Sequence, residues 1–300
     1  MFRAIPSVPS VGIVLVNYKG RDDTLECLTS LADLTYPRWF AVLVDNASAD
    51  GTPEAVRRDF PDVAVIECEE NLGFAGGNNV GTREALARGA DFVFFLNNDT
   101  TVDPNLLGYL VSLFTMRPRV GIAGALMLYY DEPEVVWSAG GRIDGRGQSF
   151  QTGQGRPASE FTEVTAVDFV VGCGLMARAG LFSQVGLLDE MYFLYYEETD
   201  WCARVKEAGW EIVTEPRAKL WHKVSRTTGG DSPLTLYYMR RNQLLYLKKH
   251  GGKAGQAGAL LDAVRLLGVW TLKRHPHRAA LARAIADFRA GRFGKAENLV

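Results

Sequence analysis

The chain has 300 residues, 47% of them hydrophobic and 23% charged, which excludes an intrinsically disordered protein and allows one large domain with an appendage. The net charge of −2 hides an asymmetry, because residues 1–216 carry 16 basic and 31 acidic side chains whereas residues 217–300 carry 17 basic and 4 acidic ones. Such a basic end indicates a polyanionic partner, either a membrane surface or a nucleic acid.

Cysteine usage and the N-terminus indicate the compartment. The four cysteines are far apart and form no Cys-x-x-Cys pair, and the first residues lack a signal-peptide pattern. We therefore predict reduced thiols and a cytoplasmic protein. No uninterrupted apolar run reaches the roughly 18 residues that a membrane-spanning helix needs.

Strands and helices alternate along the first half of the chain. Apolar runs predict strands at 11–16, 40–44, 63–66 and 92–96, with helices at 22–34, after a glycine-rich loop at 71–79, and at 105–116, and the pattern changes after residues 120–128. Strands separated by helices favour a parallel sheet with right-handed crossovers.

The second half has a different pattern. Six glycines within residues 138–157 predict a flexible hairpin or lid. The later elements are predicted as a strand at 164–171, a helix at 198–208 closed by Gly209, short strands at 212–214 and 218–221, and a basic helical region from 232 onward.

Polar residues recur where the predicted strands end, in the order Asn17, Tyr18, Asp45, Asn46, Asn71, Asn97, Asn98 and Asp99. In a parallel sheet these positions share one edge, where ligands bind. Amide and carboxylate groups there could bind a base or ribose, and a lone carboxylate beside neutral oxygens could hold a hard divalent cation. Such residues also form ordinary turns, and the last three could simply lead into a helix capped by Asp103.

The glycine-rich segment 71–79 could bring its backbone close to a phosphate or a sugar. It lacks the Gly-Lys-Ser/Thr of a nucleoside-triphosphate loop. It also lies too far along the chain for the dinucleotide fingerprint, which follows a first strand. A nicotinamide-dependent oxidoreductase is therefore disfavoured.

A second acidic cluster comprises Glu197, Glu198 and Asp200. Carboxylates this close repel one another, which raises at least one pKa, and one of them could act as a general base toward a hydroxyl. The same residues would also complement the dipole of a helix start. His222 follows another predicted strand and could complete a metal site with Asp99, although single histidines are usually surface or core residues.

The basic C-terminal region contains an amphipathic pattern. Leu260, Val264, Leu267 and Thr271 fall at helical spacing, flanked by lysines and arginines. This predicts a helix lying on an anionic membrane. The alternative is a helix packed on the catalytic domain with its basic face in solvent. Nucleic acid is not expected, because no aromatic-interleaved basic motif appears.

Taken together, these motifs resemble the inverting nucleotide-sugar glycosyltransferases of family 2, above all the rhamnosyltransferase-like bacterial members that build surface polysaccharide. The motifs that carry the resemblance over roughly residues 10–245 are Val16-Asn17-Tyr18, Val44-Asp45-Asn46-Ala47-Ser48, Asn71-Leu72-Gly73-Phe74-Ala75-Gly76-Gly77-Asn78, Leu96-Asn97-Asn98-Asp99, Asp189-Glu190 with Phe193, Glu197-Glu198-Thr199-Asp200, Trp221-His222 and Arg240-Arg241-Asn242.

The resemblance implies an α/β protein of GT-A fold, with a Rossmann-like, mostly parallel sheet flanked by helices. The catalytic domain would cover residues 1–231, with a donor half at about 1–128 and an acceptor half at about 129–231. A basic helical extension would follow at 232–300.

The implied activity is metal-dependent transfer of a sugar from a nucleotide sugar to a hydroxyl of a glycan or lipid-linked acceptor. L-Rhamnose from dTDP-rhamnose is the expected donor; UDP-hexose or UDP-galactofuranose are the alternatives. A non-catalytic nucleotide-sugar-binding protein is the alternative from another class. The enzyme would be cytoplasmic and peripheral on the inner face of the membrane.

Site residues follow from the same resemblance. The nucleotide sugar would contact Val16, Asn17, Tyr18, Asp45, Asn46, Asn71, Gly77, Asn78, Asn97 and Asn98. Mg²⁺ or Mn²⁺ would bind Asp99, His222 and Asn97, and the acceptor would contact Gly172, Cys173, Gly174 and Trp201. Glu198 would be the base, flanked by Glu197 and Asp200. Two positions depart from the family pattern, because Asn97 and Glu198 each stand where the family usually has Asp.

Overall fold

The computed structural model describes residues 8–224 and 232–297. The predicted domain boundary at residue 231 lies outside these residues. So does most of the N-terminal segment that was searched for a signal-peptide pattern. In chain order the helices and strands are β1 Val11–Asn17, α1 Arg21–Leu31, β2 Trp39–Asp45, α2 Thr52–Asp59, β3 Ala64–Glu67, α3 Gly73–Ala87, β4 Phe92–Asn97, β5 Thr100–Val102, α4 Leu106–Met116, β6 Val120–Tyr129, β7 Val136–Ser138, β8 Gly141–Ile143, β9 Ser149–Gln151, β10 Thr165–Ala166, β11 Gly174–Arg178, α5 Gly180–Gln184, α6 Glu197–Glu207, β12 Glu211–His222, α7 Pro233–His250, α8 Gly252–Leu272 and α9 Arg278–Arg289.

The main sheet has the strand order β10-β12-β6-β11-β4-β1-β2-β3. β1 pairs in parallel with β2 and β4, β2 with β3, and β6 with β12. β11 lies antiparallel between β4 and β6, so the sheet is mixed. The predicted α/β sheet with flanking helices and a helical C-terminal region is confirmed. The direction of β11 was not predictable, because a buried apolar strand reads the same in either direction.

The glycine-rich segment belongs to a helix, so its prediction as a loop through residue 79 was wrong. α3 begins at Gly73, and Gly77 and Gly81 face the sheet. A Cβ at Gly77 would lie 2.7 Å from Val16 Cγ1, and one at Gly81 would contact Val14. The glycines therefore allow close packing of helix on sheet, which offsets their low helix propensity.

Three other predictions differ from the structure. The strand predicted at 164–171 is only the two-residue β10, and the two short strands predicted at 212–221 are one strand, β12, with a bulge between Glu215 and Lys219. Pro216 lies in that bulge, where its missing N–H costs no ladder hydrogen bond. Asp103 does not cap a helix, because α4 begins later, after Asn105.

The C-terminal helices pack on each other, and α7 also packs on the loop before α6. The exposed large hydrophobic residues of α8 are Leu261, Val264, Val269 and Leu272. Of the predicted apolar side, Val264 is exposed, whereas Leu260 packs inward against the cluster of Leu244 and Leu247. Within the described residues, no helix has both the length and the apolar composition to cross a bilayer.

Candidate active site

The ends of β4 and β12 bring Asp99 and His222 together. β12 pairs antiparallel with β5 so that His222 lies opposite Thr100. Asp99 Oδ1 lies 3.1 Å from His222 Nε2, and the two side chains are only 15% and 7% exposed. The Trp137 ring packs edge-on against the imidazole, with centroids 4.5 Å apart. Backbone pairing and ring packing thus fix the histidine beside the carboxylate.

In the described part of the chain, the buried His222 Nδ1 has no hydrogen-bond partner, and the buried Asp99 Oδ1 makes no hydrogen bond besides its 3.1 Å contact with His222 Nε2. Burial opposes ionisation of Asp99, but its contacts with His222 and Asn97 outweigh burial and lower its pKa. A buried carboxylate oxygen with so few partners is costly unless a cation or a further donor binds it.

The pair therefore fits a hard divalent cation that takes few protein ligands. Across residues 8–224 and 232–297 no group of three His, Cys, Asp or Glu side chains converges to form a complete metal site. The Asn97 amide is close by, with its Nδ2 3.5 Å from His222 Nε2. Further ligands would have to come from water or from an anionic ligand, as is usual for Mg²⁺.

Glu197 and Glu198 open α6 and are buried to different degrees. Glu197 is 3% exposed and its Oε2 lacks a hydrogen-bond partner in the described ranges, whereas Glu198 is half-buried. Burial raises the pKa of Glu198 to about 7. Burial, together with the neighbouring charge of Glu198, raises the pKa of Glu197 further above its usual range. Near neutral pH, Glu198 can therefore accept a proton.

Asp200 has a different environment from the other two acids. It is fully buried and accepts hydrogen bonds from Tyr192, Arg204 and His250, and Lys249 is also paired with it. Burial opposes its ionisation, but the hydrogen bonds from His250 and Lys249 outweigh it and lower the pKa to about 2. Asp200 therefore anchors α6 to the end of α7.

The tight turn Gly172-Cys173-Gly174 lies between the two acidic clusters. The Cys173 carbonyl accepts the Asn97 N–H at 3.4 Å, and a Cβ at Gly172 would lie 3.9 Å from Glu198 Cβ. Burial raises the pKa of the Cys173 thiol, and the charges of Asp99 and Glu198 raise it further. The turn thus lies near both Glu198 and Asp99.

At the ends of β1 and β2 the polar side chains are bonded to one another. Asn17 Nδ2 donates to Asp45 Oδ1 at 2.6 Å and to Ser48 Oγ at 3.0 Å. Asn17 Oδ1 accepts from Asn98 Nδ2 at 3.1 Å and from Thr24 Oγ1 at 3.1 Å. Asn17 and Asp45 are 0% and 3% exposed. These hydrogen bonds hold the polar side chains in place at the edge of the sheet.

The other residues predicted to bind the nucleotide form two groups, one buried and hydrogen-bonded and the other half-buried. Asn46 and Asn78 are buried and hydrogen-bonded to backbone carbonyls of α3, at Gly73 and Phe74 respectively. The half-buried residues of the predicted set are Val16, Tyr18, Asn71, Asn97 and Asn98.

A strained loop at residues 192–196 leads into the acidic cluster. Phe193, Tyr195 and Tyr196 have φ values of 64°, 68° and 75°. Non-glycine residues in this region cost of order 1–3 kcal/mol each and persist only where the surroundings hold them. Asn242 of α7 does so, because its Nδ2 lies within 2.9 Å of three carbonyl oxygens of this loop. Sequence reasoning gave Asn242 no role, although the Arg240-Arg241-Asn242 motif contained it.

Trp201, which was predicted to contact the acceptor, lies in the core. It is fully buried, stacks on Phe182 with centroids 4.8 Å apart, and donates its indole N–H to the Gly186 carbonyl. Its position on α6, three residues after Glu198, turns it into the core.

Comparison with known proteins identifies the family. Residues 10–186 match Glycosyl transferase family 2. An N-acetylglucosaminyl-diphospho-decaprenol L-rhamnosyltransferase of Mycobacterium tuberculosis is 27% identical over 262 residues, covering 80% of this chain and 85% of that protein. A dTDP-rhamnosyl transferase of Shigella flexneri is 25% identical over 245 residues, covering 79% of each.

Solved structures share the fold. A mannosyltransferase from Pyrobaculum calidifontis, in complex with GDP-Man and Mn²⁺, aligns with a TM-score of 0.61 at 18% identity, covering 95% of this chain and 88% of that one. GalNAc-T7 with UDP, GalNAc and Mn²⁺ aligns with a TM-score of 0.64 at 17% identity, covering 81% of this chain and 48% of that one. The chain therefore belongs to glycosyl transferase family 2 and is a glycosyltransferase similar to rhamnosyltransferases.

Proposed function

We propose that this glycosyltransferase moves a sugar from a nucleoside diphosphate to an acceptor hydroxyl by a single displacement that inverts the anomeric carbon. The observation that carries the proposal is that Glu198 and the Asp99–His222 pair both lie near the Gly172-Cys173-Gly174 turn. A base and a diphosphate-binding group close to one another suit direct attack without an enzyme nucleophile.

Asp99 and His222 would hold Mg²⁺ or Mn²⁺, with the Asn97 amide beside them. When bound, the cation supplies positive charge that offsets the charge growing on the leaving diphosphate. The buried Asp99 carboxylate beside His222, whose Nδ1 has no hydrogen-bond partner in the described residues, supports this role, and so do the two neighbours solved with Mn²⁺. Asn97 in place of Asp removes one negative charge, so we expect weaker cation binding than an Asp would give.

Glu198 would act as the general base. Its carboxylate takes the proton of the acceptor hydroxyl while the hydroxyl oxygen bonds to the anomeric carbon and the bond to the diphosphate breaks. A pKa raised to about 7 by burial suits a base that works near neutrality. We assign Asp200 to positioning α6, because its oxygens are committed to Tyr192, Arg204 and α7.

The proposed donor is dTDP-L-rhamnose, by analogy with the two relatives. UDP-hexose and UDP-galactofuranose remain the alternatives. Val16, Tyr18 and Asn71 would contact the nucleotide, since they are half-buried at the sheet edge. The shape of the donor pocket would be set by the residues that lie behind these three, namely Asn17, Asp45, Asn46, Gly77, Asn78 and Asn98.

The proposed acceptor is lipid-linked, again by analogy with the mycobacterial relative. Gly172, Cys173 and Gly174 would lie against its sugar. In the cytoplasm, the enzyme would sit on the inner face of the membrane through the outer face of α8. Leu261, Val264, Val269 and Leu272 are 50%, 47%, 47% and 87% exposed there, within the basic C-terminal third.

Nucleotide release tests the catalytic proposal. We expect wild type with dTDP-rhamnose and acceptor to release dTDP in Mn²⁺ but not in EDTA, and Glu198→Gln to lose about 10²- to 10⁴-fold of the rate. Glu84→Gln changes an exposed carboxylate on α3 and should match wild type. Equal background release by Glu198→Gln and wild type, despite tight nucleotide binding, would indicate a nucleotide-sugar-binding protein instead.

Vesicle flotation tests the membrane proposal. We expect the full chain to float with phosphatidylglycerol vesicles and the double variant Val264→Glu/Leu272→Glu to lose most of this binding, because it places charges on the apolar face. Met116→Glu is the matched control, since Met116 is 63% exposed on α4. If the double variant and the control float as wild type does, α8 is not the contact.

A further inference from the structure

The loop at residues 192–196 leads into the acidic pair of α6 and is hydrogen-bonded to two helices. The Phe193 carbonyl accepts the Phe74 N–H at 2.8 Å and the Ala75 N–H at 3.4 Å, both in the first turn of α3. Three other carbonyls of the loop accept hydrogen bonds from α7. The loop is therefore attached to the proposed donor side through α3 and to the C-terminal helices through α7.

Asn242 provides the contacts from α7 through a single amide. Its Nδ2 donates to the carbonyls of Tyr192, Leu194 and Tyr195 at 2.9, 2.8 and 2.8 Å. The side chain is 0% exposed, so water cannot replace these bonds if the amide is removed. The φ values of Tyr195 and Tyr196 are 68° and 75°, which non-glycine residues keep only where the surroundings hold them. The amide thus maintains a backbone conformation that the loop would not adopt alone.

Arg241 fixes the orientation of this amide. Its Nε donates to Asn242 Oδ1 at 3.0 Å, and its Nη2 donates to the Met191 and Tyr192 carbonyls at 3.3 and 3.1 Å. The guanidinium is 1% exposed, and among the described residues no carboxylate pairs with it. A buried cation is costly unless its N–H groups are bonded, and here backbone carbonyls and three aromatic rings surround it.

The conformation of this loop sets the position of Glu198, because α6 begins directly after Tyr196. Resting on the proposed role of Glu198 as the base, we propose that Asn242 is a positioning residue for Glu198 and that Arg241 keeps its amide in place. Loss of the amide lets the loop relax and moves the carboxylate away from the acceptor hydroxyl. A displacement of about 1 Å is enough to lower the rate about 10²-fold. The α3 contacts of Phe193 remain, so the donor side stays in place.

A double-mutant cycle of Asn242→Ala and Glu198→Gln tests this proposal. The rate is dTDP release from saturating dTDP-rhamnose in Mn²⁺, with N-acetylglucosaminyl diphosphate on a farnesyl chain as acceptor. We expect Asn242→Ala to lower kcat tenfold or more while the Kd of dTDP changes less than twofold. In the Glu198→Gln background the same substitution should lower kcat less than threefold, because no base remains to be positioned.

The cycle separates failure of this proposal from failure of the proposed function. If Asn242→Ala lowers kcat equally in both backgrounds, or weakens dTDP binding as much as it lowers kcat, Asn242 does not act through Glu198 and the proposal is overturned. If Glu198→Gln alone keeps the wild-type rate, the proposed function is wrong. Should Asn242→Ala not fold, Asn242→Ser, which keeps one O–H donor, takes its place in the cycle.

Relief of strain provides an independent test. Glycine adopts positive φ without steric cost, so Tyr195→Gly should lessen the need for the Asn242 amide. In the Asn242→Ala background it should raise the melting temperature and increase kcat threefold or more, whereas alone it should increase neither. No recovery would show that Asn242 does not maintain the loop conformation, which overturns the proposal.

Arg178→Gln is the matched control for lost stability. Arg178 is half-buried and donates to the Val120 and Phe114 carbonyls at 2.8 Å, and it pairs with Phe92 at the start of β4, away from the site. We expect this variant to melt at a lower temperature than wild type and to keep kcat within twofold. A loss of kcat as large as that of Asn242→Ala would overturn the proposal, because instability alone would then explain both.

Discussion

Two groups of polar side chains lie where strands of one sheet end, yet they differ in how they are hydrogen-bonded. Asn17 and Asp45, at the ends of β1 and β2, are buried and bonded to each other. At the ends of β4 and β12, His222 Nδ1 is buried without a partner in the described residues, and Asp99 Oδ1 makes no hydrogen bond there besides its contact with His222 Nε2. Because an unsatisfied buried polar group costs about 1–3 kcal/mol, the second group indicates ligand binding and the first indicates architecture.

The largest expected effect comes from the unsatisfied group. Asp99→Asn should lower kcat/KM for sugar transfer by about 10²- to 10³-fold, because the cation site loses its charged ligand. Thermal stability in EDTA should stay the same or rise, since the change removes a buried charge. Kinetics at several Mn²⁺ concentrations and thermal denaturation measure both. Asp103→Asn is the isosteric control, and an Asp99→Asn enzyme as active as this control would contradict the assignment.

Substitution in the hydrogen-bonded group, which contains Asn17 and Asp45, should instead lower the stability of the fold. Asn17→Ala removes hydrogen bonds to Asp45, Ser48 and Asn98 and leaves a buried carboxylate poorly paired. We expect the free energy of unfolding to fall by about 2–4 kcal/mol in urea denaturation. Asn97→Ala loses only a 3.5 Å contact with His222 Nε2 and a contact with the Asp99 carboxylate, so it should lower stability much less. Equal stability losses in the two variants would remove the distinction between the groups.

The sequence revealed the strand ends and the acidic cluster, because apolar runs and polar interruptions are local patterns. It did not reveal which polar residues satisfy one another, since Asn17 meets Asn98 only after β1 and β4 pair. The same limit hid Asn242, which lies some fifty residues from the loop it holds. The glycine-rich segment was mispredicted for a related reason, because Gly73 packs against Phe193 and Gly77 against Val16, contacts that exist only in the folded chain.

A smaller effect on stability is expected from the packing of α3 against β1, behind the residues proposed to bind the donor. Gly77→Ala would place a Cβ 2.7 Å from Val16 Cγ1 and 3.1 Å from Asn46 Nδ2. We expect a loss of about 1–3 kcal/mol of unfolding free energy and a higher KM for the donor, because Val16 must shift. Gly108→Ala on α4 has no neighbour within 4 Å and should stabilise by about 0.5–1 kcal/mol. Urea denaturation of both variants checks this, and a stabilised Gly77→Ala would show that α3 is not closely packed there.

The same contrast recurs within the acidic cluster, where Asp200 is satisfied and Glu197 is not. His250 donates to this network, with Nε2 2.9 Å from Asp200 Oδ1 and Nδ1 2.9 Å from Glu207 Oε1. Lys249 and the Tyr246 ring also pack there. Burial opposes protonation of His250, but the two carboxylates outweigh it and raise its pKa above 6.5.

This raised pKa fixes the sign of the smallest predicted effect. A group whose pKa is higher in the folded than in the unfolded protein stabilises the fold when it is protonated. This stabilisation is complete at pH values below the unfolded-state pKa and is lost as the pH rises through the folded-state pKa. The melting temperature should therefore fall more steeply for wild type than for His250→Gln as pH rises from 6 to 9. Glu198, whose pKa is raised to about 7, also makes the melting temperature fall as pH rises, and it does so in both proteins. His277→Gln, at the start of α9, should keep the wild-type slope. Parallel curves for wild type and His250→Gln would show that the histidine does not stabilise the anchor of α6.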